Sequence, residues 1–167
     1  MALRNIVTKE DKILHKVCRE QMKFDDRLHQ LLDDMAQTLE NANGVGLAAP
    51  QVGILRRVVL VIETNVGEDE DEQILELINP VIVESSGEQV GAEGCLSVPG
   101  EYGIVRRPEV VTVRAQDRNG EWFEYEGHGL TARCICHELD HLEGHLFTEK
   151  AERMLSEDEI KSGSEED

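Results

Sequence analysis

Two periods alternate along the chain. Apolar positions recur at helical spacing from about Asp25 to Asn43 and predict an N-terminal helix. Shorter apolar runs bounded by turn residues follow near 57–63, 74–78, 80–84, 109–116 and 121–126, and these predict strands. Asp117-Arg118-Asn119-Gly120 joins the last two, its Asn-Gly pair being a hairpin signal. Strands separated by turns rather than crossover helices favour antiparallel pairing. Helical spacing returns from about 130 to 143, with Leu130, Ile135, Leu139 and Leu142 apolar and Leu146 just beyond, and again over about 148–161. The pattern predicts an α+β fold: antiparallel β-sheets packed around a central helix, with an N-terminal helix and a short C-terminal helix.

Composition narrows this to one soluble domain. A chain of 167 residues can bury a sizeable core. Residues 1–155 are expected to form a single domain and 156–167 an acidic, disordered tail. No apolar stretch approaches the roughly 18 residues needed to cross a membrane, and Met-Ala-Leu-Arg-Asn-Ile-Val is no signal peptide, so a cytoplasmic location without membrane attachment is expected. Cys18, Cys95, Cys134 and Cys136 do not form a disulfide framework, and reduced thiols are expected. The net charge is 17 − 35 = −18. Such a chain repels phosphate backbones, which argues against direct nucleic-acid binding. Much of the excess lies in the run Glu68-Asp69-Glu70-Asp71-Glu72 and in the tail, both read as solvated surface.

The central helix carries the most informative segment, His137-Glu138-Leu139-Asp140-His141. Residues four apart share a helix face, so both imidazoles can reach one cation. Glu138 sits one step around, where a carboxylate can activate water beside a metal without being a ligand. The apolar flanks indicate a buried helix, in which such polar groups need a reason to be present.

A catalytic site of this kind takes three protein ligands and keeps one position open. A third His six residues after His141 is absent, Phe147 standing there. His145 lies on the same face, but three ligands along one straight helix would span about 12 Å. Cys134 suffers from the same geometry and is more simply a small buried residue. Cys95 remains, in Glu93-Gly94-Cys95-Leu96-Ser97-Val98-Pro99-Gly100, a segment that Pro99-Gly100 is expected to end as a turn. The alternative is a buried structural cysteine. A third segment, Gly44-Val45-Gly46-Leu47-Ala48-Ala49-Pro50-Gln51-Val52-Gly53, is crowded with small residues that let a backbone or ligand approach. Gln51 there offers an amide that can donate to an oxyanion, a helix terminus with a glycine-rich turn being the plainer reading.

Taken together and in this order, Gly44 to Gln51, Glu93 to Ser97 and His137 to His141 resemble the three motifs of the peptide deformylase family. The resemblance runs from about residue 4 to residue 150. It implies a metal-dependent hydrolase that removes the N-formyl group from the formylmethionine of newly synthesised proteins and releases formate. Carried onto this chain, it makes Cys95, His137 and His141 the metal ligands, Glu138 the general acid/base, and Gln51 with the Leu96 backbone N–H the oxyanion donors. Val45, Gly46, Leu130 and Cys134 then line the slot for the methionine side chain. The implied cofactor is one divalent metal ion, Fe(II) natively, with Zn, Ni or Co able to occupy the same ligands. The implied partners are nascent formylmethionyl polypeptides at the ribosome, although an acidic tail does not suit docking through a C-terminal extension. Three residues depart from the family pattern: Arg133 stands where many members carry an apolar residue of the slot, Cys136 where Gln is frequent, and Tyr102 in a segment where some members carry Arg.

Overall fold

The computed structural model describes residues 2–64 and 72–166, the side chains of 162–166 excepted. Helix α1 spans Asp26–Ala42. The Asp25 carboxylate accepts from the Leu28 N–H at 3.2 Å, satisfying one of the free donors of the first turn. Asn43, in the left-handed conformation at φ 55°, closes the other end. Strand β1 (Gly46–Ala48) leads through a 3-10 turn over Ala49–Val52 to β2 (Val58–Ile62) and β3 (Ile74–Ser86). Strands β4 (Gln89–Cys95) and β5 (Val98–Arg107) form a hairpin, and β6 (Val110–Gln116) and β7 (Trp122–His128) a second. Helix α2 (Gly129–Leu142) follows, then a 3-10 turn over Phe147–Glu149, β8 (Arg153–Met154) and α3 (Glu157–Glu166).

Five strands form one sheet in the order β1-β2-β3-β6-β7, and β4-β5-β8 form a smaller one; every pairing is antiparallel. Strand β2 is apolar throughout because both its faces are covered. Val58 and Leu60 pack with Leu28, Leu32, Met35 and Leu39 of α1, while Val59 and Val61 pack with Ala132 and Ile135 of α2. The other side of α2 meets the smaller sheet, whose core joins Val98 and Val105 to Leu14, Leu146 and Phe147. The motif helix is therefore enclosed between the two sheets, as its apolar flanks predict.

The structure departs from the sequence pattern at particular points. The runs near 74–78 and 80–84 form one strand, β3, because Asn79 takes a left-handed conformation (φ 52°) that shifts the ladder to β6 at the residue before Pro80. The Asn79 side chain accepts from the Gln21 N–H at 2.8 Å, which helps hold that conformation. The turn in the Cys95 segment is Leu96-Ser97, not Pro99-Gly100, which instead open β5. The helix expected over 148–161 begins only at Glu157 and, as α3, extends to Glu166. Its N-terminus is capped by Ser156, whose hydroxyl accepts from the Glu159 N–H while the Glu159 carboxylate accepts from the Ser156 N–H. The acidic run of 68–72 lies outside the described residues except for Glu72. Among the described residues, no helix is long and apolar enough to cross a membrane, and all four cysteines are free.

Candidate active site

Cys95 ends β4 and the two histidines share one face of α2, so antiparallel strand and helix meet at three donor atoms. Cys95 Sγ and one ring nitrogen from each of His137 and His141 all lie within 4.8 Å of one another. Sγ is 3.3 Å from His141 Nε2. His145 and Cys134 are not part of this group; His145 faces outward beside Glu149, and Cys134 packs in the core. Phe147, which occupies the position of a third His, stacks on the His137 ring with centroids 6.0 Å apart.

Glu93 holds this arrangement from beneath. Its carboxylate accepts from His137 Nδ1 at 2.6 Å, from Arg107 Nη2 at 2.6 Å and Nε at 3.2 Å, and from Arg133 Nη1 at 2.9 Å. The hydrogen bond at Nδ1 fixes the tautomer of His137 and leaves Nε2 free for a cation. Arg107 also donates to Asp140 at 2.7 Å, tying the β5 end of the network to the next turn of α2. Arg106, next to Arg107 on β5, is exposed instead and pairs with Glu88 and Glu152. The contact of Glu93 with His137 was not anticipated. Strand alternation could have revealed it, since residues two apart on β4 share a face and Glu93 stands two before Cys95.

Burial raises the carboxyl pKa of Glu93, but the donors from His137 and Arg107 outweigh it and bring the value down to about 2. Glu138 has no such donors. Burial pushes it up to about 7, and its Oε1 has no hydrogen-bond partner among the described residues. That oxygen lies 4.0 Å from His141 Nε2. Gly46 makes room for it: a methyl group at that position would overlap the Glu138 carboxylate. Burial, followed by the nearby His137, pushes His141 down to about 3, so it presents the neutral imidazole that a cation binds. Burial lowers the pKa of His137 too, but the contacts with Cys95, Glu138 and Glu93 outweigh it and raise the value overall. The donor set of one thiol and two imidazoles, with an unpartnered carboxylate oxygen beside it, fits a divalent transition metal.

Gln51 reaches the same place from the 3-10 turn. Its Oε1 accepts from the Ala48 N–H at 2.9 Å, which turns Nε2 toward Ser97 Oγ at 3.0 Å and Cys95 Sγ at 3.5 Å. Leu96 lies beside Cys95 in the hairpin turn. A cavity of about 460 Å³ opens over these groups, and Val45, Gly46, Leu130 and Cys134 line it together with Gln51, Leu96, His137 and Glu138. Every residue assigned to chemistry or to the slot by sequence is thus gathered at or around one cavity. Two further wall residues change its character. Tyr102 packs its ring over Gly94, and Arg133 is buried at 6% exposure rather than extended to solvent. Cys136, on the opposite side of α2, lies in a separate groove with Arg57 and Leu139.

A family model described as polypeptide deformylase matches residues 3–157. A peptide deformylase of Caldicellulosiruptor bescii is 53% identical over 161 residues, covering 96% of this chain and 93% of that protein. The crystal structure of peptide deformylase from Thermotoga maritima, 35% identical, superposes with a TM-score of 0.83 over 90% of this chain and 99% of that one. The Ehrlichia chaffeensis peptide deformylase in complex with actinonin, also 35% identical, superposes at 0.84 over 99% and 96%.

Proposed function

The chain belongs to the polypeptide deformylase family, and on that premise we propose that Cys95, His137 and His141 hold its metal while Glu138 carries the proton of the reaction. As a member, it is a metal-dependent hydrolase that removes the N-formyl group from newly made polypeptides. The observation that carries the site assignment is the convergence of the three donor atoms within 4.8 Å beside the buried, unpartnered oxygen of Glu138.

A divalent cation on these ligands supplies Lewis acidity to water and to the formyl oxygen. The remaining chemistry belongs to side chains. Glu138, held in a dry position with its pKa raised toward neutrality, accepts the proton of the attacking water and delivers it to the departing amine, serving as base and then acid. Gln51 Nε2 and the Leu96 N–H donate to the oxygen that gains charge as the formyl carbon becomes tetrahedral. Gln51 is suited to this because Ala48 occupies its carbonyl oxygen and leaves only N–H groups facing the site. Formate and a free amino terminus result. The apolar wall of Val45, Leu130 and Cys134 receives the methionine side chain.

In this reading Fe(II) is the native metal and Zn, Ni or Co can replace it, since a thiolate with two imidazoles suits several of these ions. An Fe(II)-thiolate centre is sensitive to oxidation at Cys95. The enzyme works in the cytoplasm on nascent formylmethionyl chains. With a net charge of −18 it reaches them without binding ribosomal RNA directly. The test is formate release from a formyl-Met peptide by protein loaded with Fe(II) or Ni(II); no release with either metal would overturn the assignment.

A further inference from the structure

The slot that receives the substrate side chain is not wholly apolar. Arg133 lies on α2 one turn before His137 and lines the cavity beside Leu130 and Cys134. It is buried, with 6% of its surface exposed. All of its hydrogen bonds among the described residues run from Nη1, to Glu93 Oε2 at 2.9 Å, Val105 O at 3.1 Å and Gly91 O at 3.4 Å. A guanidinium carries five N–H groups, so the three on Nε and Nη2 have no protein partner among the described residues, and neither nitrogen is sealed from water. Nη2 lies against Gly91, where an added methyl group would be 3.4 Å away, so a larger residue at 91 would compete for this space.

A side chain that fills the slot displaces water from these donors, and one that brings its own acceptor replaces the hydrogen bonds so lost. A methionine side chain ends in a thioether, which is a weak acceptor. Its sulfoxide has nearly the same shape and places a strongly accepting neutral oxygen at the sulfur. The charge of Arg133 is already matched by Glu93, which favours a neutral acceptor over a carboxylate. We propose that Arg133 is a specificity-determining residue that lets the slot accept oxidised formylmethionine, the sulfoxide, as well as formylmethionine. The inference rests on the reading of this cavity as the substrate side-chain slot.

The test compares kcat/KM for three peptides that differ only at the first residue: formylmethionine, formylmethionine sulfoxide and formylnorleucine, the last having no acceptor. With the wild-type enzyme, the sulfoxide is expected within about tenfold of formylmethionine and above formylnorleucine. Arg133→Met removes the donors, and the sulfoxide-to-norleucine ratio should then fall by about tenfold or more, the scale of a hydrogen bond to a charged group. A fall of all three substrates by one common factor would mean that Arg133 acts only through Glu93 and the fold, and would overturn the proposal. If Arg133→Met does not fold, the wild-type ratio decides alone: sulfoxide turned over more slowly than norleucine contradicts the assignment. Hydrolysis of formylmethionine in the same assay separates this outcome from failure of the deformylase reading itself.

Discussion

Glu93 and Glu138 are buried carboxylates on either side of the same histidine, and their surroundings drive them in opposite directions. Glu93 sits beneath His137 and is met by two guanidinium groups and an imidazole N–H; despite burial, His137 and Arg107 hold its pKa at about 2. Glu138 faces the cavity with one oxygen unpartnered, and burial raises it to about 7. Their roles follow from this contrast rather than from residue type. A carboxylate saturated with donors holds its charge and orients what it touches, whereas one left without donors can exchange a proton near neutral pH.

The largest effect is expected at the proposed metal ligands beside the two carboxylates. Cys95→Ser should reduce metal affinity by well over a hundredfold, while Cys134→Ser, one turn before Glu138 in the core, should leave it near wild type; equilibrium dialysis against the metal measures both. Equal losses would reopen the ligand assignment. Gln51→Ala leaves both carboxylates in place but removes an oxyanion donor, so kcat should fall by about 10²-fold with metal content unchanged. Loss of metal together with activity would instead assign Gln51 a structural part.

Glu93→Gln should cost about tenfold to a hundredfold in metal affinity, because the support for the His137 tautomer is weakened. The same group makes a prediction about acid stability. Its folded pKa is depressed from 4.5 to about 2, so its contribution is complete above pH 4.5 and is lost as pH falls toward 2. The metal-free variant should therefore lose less stability than metal-free wild type across that interval in thermal melts. Glu138 has the opposite sign. Its folded pKa is raised from 4.5 to about 7, so its ionisation destabilises the metal-free protein as pH rises through that range. Metal-free Glu138→Gln should be more stable than metal-free wild type at pH 8, by on the order of 3 kcal/mol, and the advantage should vanish near pH 4. An unchanged difference between these pH values would refute the environment assigned to Glu138.

The two sides of the site were not equally legible from sequence. The His-Glu-x-x-His spacing announces a cation on one helix face with a carboxylate beside it, and the packing of α2 between the two sheets follows from its apolar flanks. The support beneath His137 was hidden because it lies on β4 and β5. Gln89-Val90-Gly91-Ala92-Glu93-Gly94-Cys95 and the charged residues after Gly100 lack the apolar alternation that marks a half-buried strand. Beside Val105, two of their inward positions are filled by Glu93 and Arg107, charges that are stable inside because each other, His137, Arg133 and Asp140 satisfy them. Arg133 shows the same limit. A lone arginine on an apolar helix face gives no indication of an acceptor that another strand provides.

In the proposed reading, Glu138 moves the proton and does not hold the metal. Metal content and formate release measured together on Glu138→Gln test it most directly. Close to one equivalent of bound metal is expected, as in wild type, with turnover reduced by about 10³-fold or more. Turnover near the wild-type rate with metal bound, or loss of metal in proportion to activity, would contradict it.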